Sequence, residues 1–152
     1  MQESMHVAKS LAWGLLSPDQ QQALVERFEK TKCQGLHLHC PDGAVPKDGP
    51  SAGAAITLTI YSLLAGRPIR NDVAITGETN LQGQITEIGG LQHKIQGGIR
   101  AGIRTFLFPK SNQPDFAKIW EKFGGKECMR GVEFIAVERI EDTFAHVFEV
   151  CA

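Results

Sequence analysis

The amino-acid sequence predicts a layered domain of the α/β (α+β) class. Three observations predict it. Apolar residues recur at helical spacing in several segments, short runs rich in β-branched and aromatic residues lie between them, and the two patterns alternate through most of the chain. A chain of 152 residues suits one domain built on one hydrophobic core.

Each element follows from its residues. Met5, Ala8, Leu11, Ala12 and Leu15 place an amphipathic helix over 2–16. Ser17 as N-cap and Pro18 at the first helical position start a second helix over 18–30, with Asp19, Gln20, Gln21, Gln22, Glu26 and Arg27 on a solvated face. Leu36, Leu38 and Cys40 alternate with His37 and His39, which predicts a strand. The run PDGAVPKDGP over 41–50 carries too much proline and glycine for regular structure. A helix over 51–65 is apolar nearly all round and therefore buried, and Gly66 ends it. Strands are predicted over 73–76, 84–88, 105–108 and 132–137. Helices are predicted over 91–101 and 114–123, with a closing helix over 140–149. No internal repeat, low-complexity tract or linker interrupts this order.

Composition excludes several classes. Lys plus Arg number 16 and Asp plus Glu 17, so no bulk charge draws the domain onto nucleic acid or an anionic membrane. No apolar run reaches the length of a membrane span. Cys33, Cys40, Cys128 and Cys151 form no CxxC and fit no common zinc spacing, which reads as thiols in a reducing compartment. Gln2, Glu3 and Ser4 stand where a signal peptide would carry basic residues, and the chain opens inside a helical pattern, as a domain cut from a longer polypeptide would.

The strongest chemical feature is the junction Pro46-Lys47-Asp48-Gly49-Pro50-Ser51-Ala52-Gly53. It brings Ser51 to the first turn of a buried helix, where free N–H groups and the helix dipole favour negative charge. A nucleophilic serine needs that setting, because its tetrahedral intermediate carries an oxyanion. On the junction alone, an N-cap is the plainer reading of Ser51. Such a hydroxyl needs a base. His37 and His39 face one side of the predicted strand. They read as a metal pair lacking a third ligand, or, for His39, as a support for the loop after it; a satisfied structural histidine is the simpler role. Lys94 neighbours Leu91 and Ile95 at the edge of an apolar stripe, a partly desolvated place for an amine, although spacing alone favours a snorkelling lysine. Thr76, in Thr76-Gly77-Glu78, ends a strand and offers a hydroxyl to a neighbouring amine, or only ends the strand.

Taken together these residues resemble the C-terminal proteolytic domain of Lon, the ATP-dependent protease. The resemblance rests on His37-Leu38-His39, Pro41-Asp42-Gly43-Ala44, the PKDGPSAG stretch over 46–53, Thr76-Gly77-Glu78, Leu81-Gln82-Gly83, Ile88-Gly89-Gly90, Lys94 and Arg100-Ala101-Gly102-Ile103, in the family's order from residue 1 to the last helix. It implies the Lon protease fold, with small mixed sheets layered with helices, and a serine endopeptidase using a Ser–Lys dyad. Ser51 falls on the nucleophile, Lys94 on the general base and Thr76 on the threonine that holds the lysine amine, with His39 and Asp48 as supporting residues. It further implies unfolded or damaged protein substrates, a hexameric ring, and a cytoplasmic or organelle-matrix location. This domain would bind no cofactor or metal, ATP and magnesium being used by a separate ATPase module, and would contact neither membrane nor nucleic acid.

Two departures from the family pattern stand out. Gly97-Gly98 interrupts the Lys94 helix, where each glycine costs about 1 kcal/mol against alanine. The strands that precede the first helix in the family, and the ATPase module with its GxxxxGK[ST] loop, do not occur in residues 1–152. A shortened sheet is expected to leave Ser51 and Lys94 near one another yet outside hydrogen-bond reach. Two other readings compete. One is a non-proteolytic Lon-like ring scaffold such as some DNA-repair factors carry, which lacks the complete dyad. The other is a small-molecule kinase, whose phosphate loop would be richer in glycine and serine.

Overall fold

The structure, a computed structural model, describes residues 2–32, 35–39, 49–124 and 129–149. Its elements run α1 (Gln2–Gly14), α2 (Pro18–Thr31), α3 (Gly53–Ala65), β1 (Val73–Ile75), β2 (Glu78–Thr79), β3 (Ile85–Thr86), α4 (Leu91–Arg100), β4 (Thr105–Pro109), α5 (Gln113–Phe123), β5 (Glu133–Val137) and α6 (Phe144–Val147). The start of α2 is closed by a capping box: Gln20 N–H donates to the Ser17 hydroxyl, and Ser17 N–H donates to the Gln20 side chain, with Pro18 at the first position.

A parallel sheet in the order β1-β4-β5 forms the centre. Its side chains alternate between two apolar clusters, as the two-residue period of a strand requires. Leu107, Val137, Val73, Ile75 and Ile135 pack with α1, α2, α3 and α6, while Phe106, Phe108, Ala74, Phe134 and Ala136 pack with α4 and α5. The sheet is therefore the middle layer of three. A parallel strand covered on both faces reads as a continuous apolar run, and all of Thr105–Pro109 is buried. The separate hairpin pairs Glu78 with Thr86 and Thr79 with Ile85, antiparallel.

Three expectations change. Residues 35–39 form no strand: no described strand lies alongside to make a ladder, and only Leu38 packs on the apolar cluster, leaving His37 and His39 exposed. The strand expected over 84–88 shortens to Ile85–Thr86, because the Asn112 side chain takes both the N–H and the carbonyl of Ile88. The closing helix covers only Phe144–Val147, after a 3-10 turn at Glu141–Thr143. Phe148 leaves it in extended conformation, bridges Ile69 and packs its ring against Tyr61 and Phe144.

Candidate active site

Ser51 and Ala52 form a turn, and α3 begins at Gly53 with Ala52 as its N-cap and no side-chain capping bond. Ser51 thus stands one residue ahead of the cap, and its hydroxyl is not spent on the helix. Its backbone is fastened instead. The Ser51 carbonyl accepts from Gly77 N–H at 2.9 Å and from the Thr76 hydroxyl at 3.2 Å, while Ala54 N–H donates to the Gly77 carbonyl at 3.0 Å. The approach is close enough to demand glycine on both sides. A Cβ on Gly53 would lie 2.8 Å from Thr79 Oγ1 and 3.0 Å from Thr79 N, and one on Gly77 would overlap Ile85 Cγ2.

Lys94 arrives from the other side, in the first turn of α4. Gly90 caps that helix in the left-handed region at φ 71°, where a side chain would be strained. Leu91 and Ile95 are 3% and 1% exposed and anchor the helix, and Lys94 between them is half-buried. Its Nζ donates to Ser51 Oγ at 3.0 Å. The hydroxyl and amine therefore meet within hydrogen-bond reach, contrary to the wider gap expected of them.

The helix-start N–H groups are partly committed, which narrows the oxyanion expectation. Gly53 N–H donates to the Pro50 carbonyl at 2.9 Å and Ala54 N–H to Gly77, whereas no hydrogen bond from Ser51 or Ala52 N–H occurs among the described residues. Thr76 is 5% exposed and donates to the Ser51 carbonyl, with no bond to Lys94 among the described residues. A hydroxyl has one proton to give, and the backbone oxygen takes it. His39 is exposed and hydrogen-bonds to nothing among the described residues; residues 41–48 of the loop it was expected to support, Asp48 among them, lie outside them. No group of three or more His, Cys, Asp or Glu residues that could hold a metal ion occurs among the described residues.

Sequence reasoning passed over Asn112. It is 3% exposed; its Oδ1 accepts from Ile88 N–H at 3.0 Å and its Nδ2 donates to the Ile88 carbonyl at 2.9 Å. That pair fixes the chain just before Gly89-Gly90 and so the entry to α4. The only local signal was an Asn shortly before Pro114, which reads as a helix start, and Asn112 makes no side-chain cap there.

Fold and site define a three-layer α/β domain with a serine hydroxyl paired to a lysine amine at the start of a buried helix. The chain belongs to the family of the Lon protease (S16) C-terminal proteolytic domain, whose model matches residues 1–150. Relatives agree. A "Lon protease" of Azospirillum brasilense is 43% identical over 119 residues, which are 78% of this chain and 14% of that protein. "Lon protease 2" of Bdellovibrio bacteriovorus is 36% identical over 152 residues, 100% of this chain and 18% of that protein. A "Lon protease homolog, mitochondrial" of Scheffersomyces stipitis is 42% identical over 113 residues, 74% of this chain and 10% of that protein. The chain thus spans a small part of the length of each relative.

Proposed function

We propose that this chain is a serine endopeptidase module in which Ser51 is the nucleophile and Lys94 its general base. The observation that carries the reading is the 3.0 Å contact between Lys94 Nζ and Ser51 Oγ. In its uncharged form the amine takes the Ser51 proton as Oγ attacks the scissile carbonyl. The oxyanion then forms beside the N–H groups of Ser51 and Ala52, which make no hydrogen bond among the described residues. The protonated lysine returns its proton to the leaving amine, and water activated by the same amine clears the acyl-enzyme. Thr76 acts through the backbone by holding the Ser51 carbonyl, and so sets where Oγ points.

Within the full-length protease, the module would cut unfolded or damaged proteins delivered by an ATPase module using ATP and magnesium, in a hexameric ring, in the cytoplasm or an organelle matrix. None of the described helices is long and apolar enough to cross a membrane. A non-proteolytic scaffold has no use for a serine hydroxyl held against a lysine amine, so the contact favours the peptidase.

Ser51→Ala tests the reading. The variant should keep the wild-type circular dichroism spectrum and melting curve while hydrolysis of a fluorogenic peptide disappears, in this chain and in the full-length protein. Wild-type turnover by the folded variant would remove Ser51 from the mechanism.

A further inference from the structure

Lys94 reaches Ser51 from a helix whose entry has few side chains to hold it. Gly89 and Gly90 precede α4, and Gly90 stands in the left-handed region. Apolar contacts at Leu91 and Ile95 decide which face of α4 is buried, but such contacts are non-directional and set the position of the helix only loosely. The directional bonds lie upstream. Lys94 N–H donates to the Gly90 carbonyl at 3.2 Å, so the lysine backbone is referred to Gly90. Shortly before Gly90, the N–H and the carbonyl of Ile88 are both taken by Asn112.

The Asn112 amide is spent wholly on this tie and on one further partner. The residue is buried on the 3-10 turn Lys110–Asn112 that continues β4, and it makes no side-chain cap for α5. Its Oδ1 accepts from Ile88 N–H. Of the two protons on Nδ2, one goes to the Ile88 carbonyl and one to Asp115 Oδ2 at 3.1 Å. An asparagine amide turned over by half a rotation would set its NH2 against the Ile88 N–H and its oxygen against the Ile88 carbonyl. The Asp115 carboxylate only accepts, so it keeps the NH2 on its own side and opposes that flip. Hydrogen bonds thus run from Asp115 through Asn112 to Ile88, and a second tie runs from Gly90 to the backbone of Lys94.

We propose that Asn112 is a positioning residue for the amine of Lys94, and that Asp115 holds the Asn112 amide in the orientation this requires. The inference deepens the peptidase reading and rests on Lys94 as the base. Without the clamp, Ile88 and the glycine pair after it lose their directional tie to the end of β4, and α4 can shift on its apolar face. A misplacement of about 1 Å between reacting groups costs on the order of a hundredfold in rate. Asn112 touches neither Ser51 nor Lys94, so the loss falls on kcat and leaves KM nearly unchanged.

The test reads the position of the amine without relying on catalysis. Ser51→Cys puts a thiol at the site, and a neighbouring lysine favours its thiolate, the form that iodoacetamide alkylates. Alkylation of residue 51 at neutral pH is followed by mass spectrometry of the peptide that carries it, well below the melting midpoint of every variant. Adding Lys94→Met should slow it about tenfold and defines the rate without the amine. Asn112→Ala should approach that rate. Asp115→Ala, an exposed change that leaves both Ile88 bonds able to form, should slow alkylation about threefold, the scale of one hydrogen bond, and Asp115→Asn, which keeps an acceptor oxygen, should restore it. Leu24→Ala, a truncation in the apolar cluster on the other face of the sheet, should leave the rate unchanged. With Ser51 in place, Asn112→Ala should lower kcat for a fluorogenic peptide by about 10–100-fold, with KM within about twofold. Alkylation unmoved by Asn112→Ala, or slowed equally by Leu24→Ala, would overturn the positioning role. Should Asn112→Ala not fold, the two Asp115 variants decide, and a rate indifferent to Asp115→Ala overturns the proposal. Alkylation indifferent to Lys94→Met would place the amine away from residue 51 and overturn both readings. Asn112-dependent alkylation in a chain that cleaves no peptide sinks the peptidase reading and leaves the positioning role standing, and cleavage with kcat and alkylation indifferent to Asn112 does the reverse.

Discussion

The two glycines inside the lysine-bearing helix make a sharp test of why they are there. Gly97 is exposed in the body of α4, and a Cβ built on it meets nothing within 4 Å. Gly97→Ala should therefore gain the helix propensity in full, about 0.5–1 kcal/mol. For a chain of this length that raises Tm by roughly 2–3 °C. Gly98 sits one residue on and faces inward. Its Cβ would lie 3.2 Å from both Cδ2 and Cε2 of Phe106. Phe106 is 3% exposed and packed against Phe134, so the ring has little room to yield. The same propensity gain at Gly98 then meets an overpacking penalty of about 1–3 kcal/mol, and Gly98→Ala should be neutral to destabilising. Urea melts of both single variants, fitted with a common m-value, give the comparison directly. If Gly98→Ala stabilised as much as Gly97→Ala, the contact with Phe106 would not be what keeps residue 98 a glycine. If Gly97→Ala lowered the midpoint, the helix would not be held through that residue as described.

Three further outcomes follow from the site. Lys94→Arg should lose about 10²–10⁴-fold in kcat, since a guanidinium keeps the charge but cannot take a proton; wild-type kcat in that variant would exclude Lys94 as the base. Thr76→Val removes the hydroxyl bonded to the Ser51 carbonyl and should lower kcat by up to about tenfold, on the scale of one hydrogen bond, with a smaller effect on Tm. A kcat unchanged beside a clear loss of Tm would make Thr76 a strand-end residue only. Asn112→Ala leaves the N–H and carbonyl of Ile88 buried without partners and should cost about 2–4 kcal/mol by urea denaturation; a loss below about 0.5 kcal/mol would show that water replaces the amide.

What the sequence made legible divides by range. The Ser17-Pro18 start of α2, the apolar α3 and the runs of β4 and β5 were readable because their signals are local: a cap, a period, a continuous apolar stretch. Residues 35–39 alternate as a strand should, yet alternation only permits a ladder, and no described strand lies alongside to make one. Of the hairpin, the strand at Ile85–Thr86 was expected within 84–88, whereas its partner Glu78–Thr79 escaped because two residues carry no period. In the site, the PKDGPSAG stretch and the lysine after Gly89-Gly90 marked Ser51 and Lys94, but the 3.0 Å between them belongs to tertiary structure. The partner of Thr76 was misread for the same reason: the residue type shows that a hydroxyl is present, and only geometry decides which acceptor takes its proton. Asn112 was illegible altogether, since its partner lies 24 residues away and its local context suggests a cap.

The two halves of the site share one ruler. Ser51 is held by Thr76 and Gly77, and Thr76 N–H donates to the Leu107 carbonyl of β4 at 3.1 Å. Lys94 is held by α4, whose entry is fixed through Ile88 by Asn112, three residues beyond the end of β4. Ser51 and Lys94 are thus each referred to the same strand, from its middle and from just past its end, by backbone-directed hydrogen bonds in addition to their own 3.0 Å contact. The register Ile75–Leu107 between β1 and β4 then sets the spacing. Slipping that pairing by one residue would displace β1 by about 3.3 Å and turn its side chains to the other face. The slip would carry Thr76, and the Ser51 backbone with it, so that Ser51 Oγ leaves hydrogen-bond reach of Lys94. Side-chain alternation between two different apolar clusters makes the slip costly, because Val73 and Ile75 belong to one cluster and Ala74 to the other. The apolar period of a three-residue strand, remote from the chemistry, is therefore part of what keeps the serine and the lysine together.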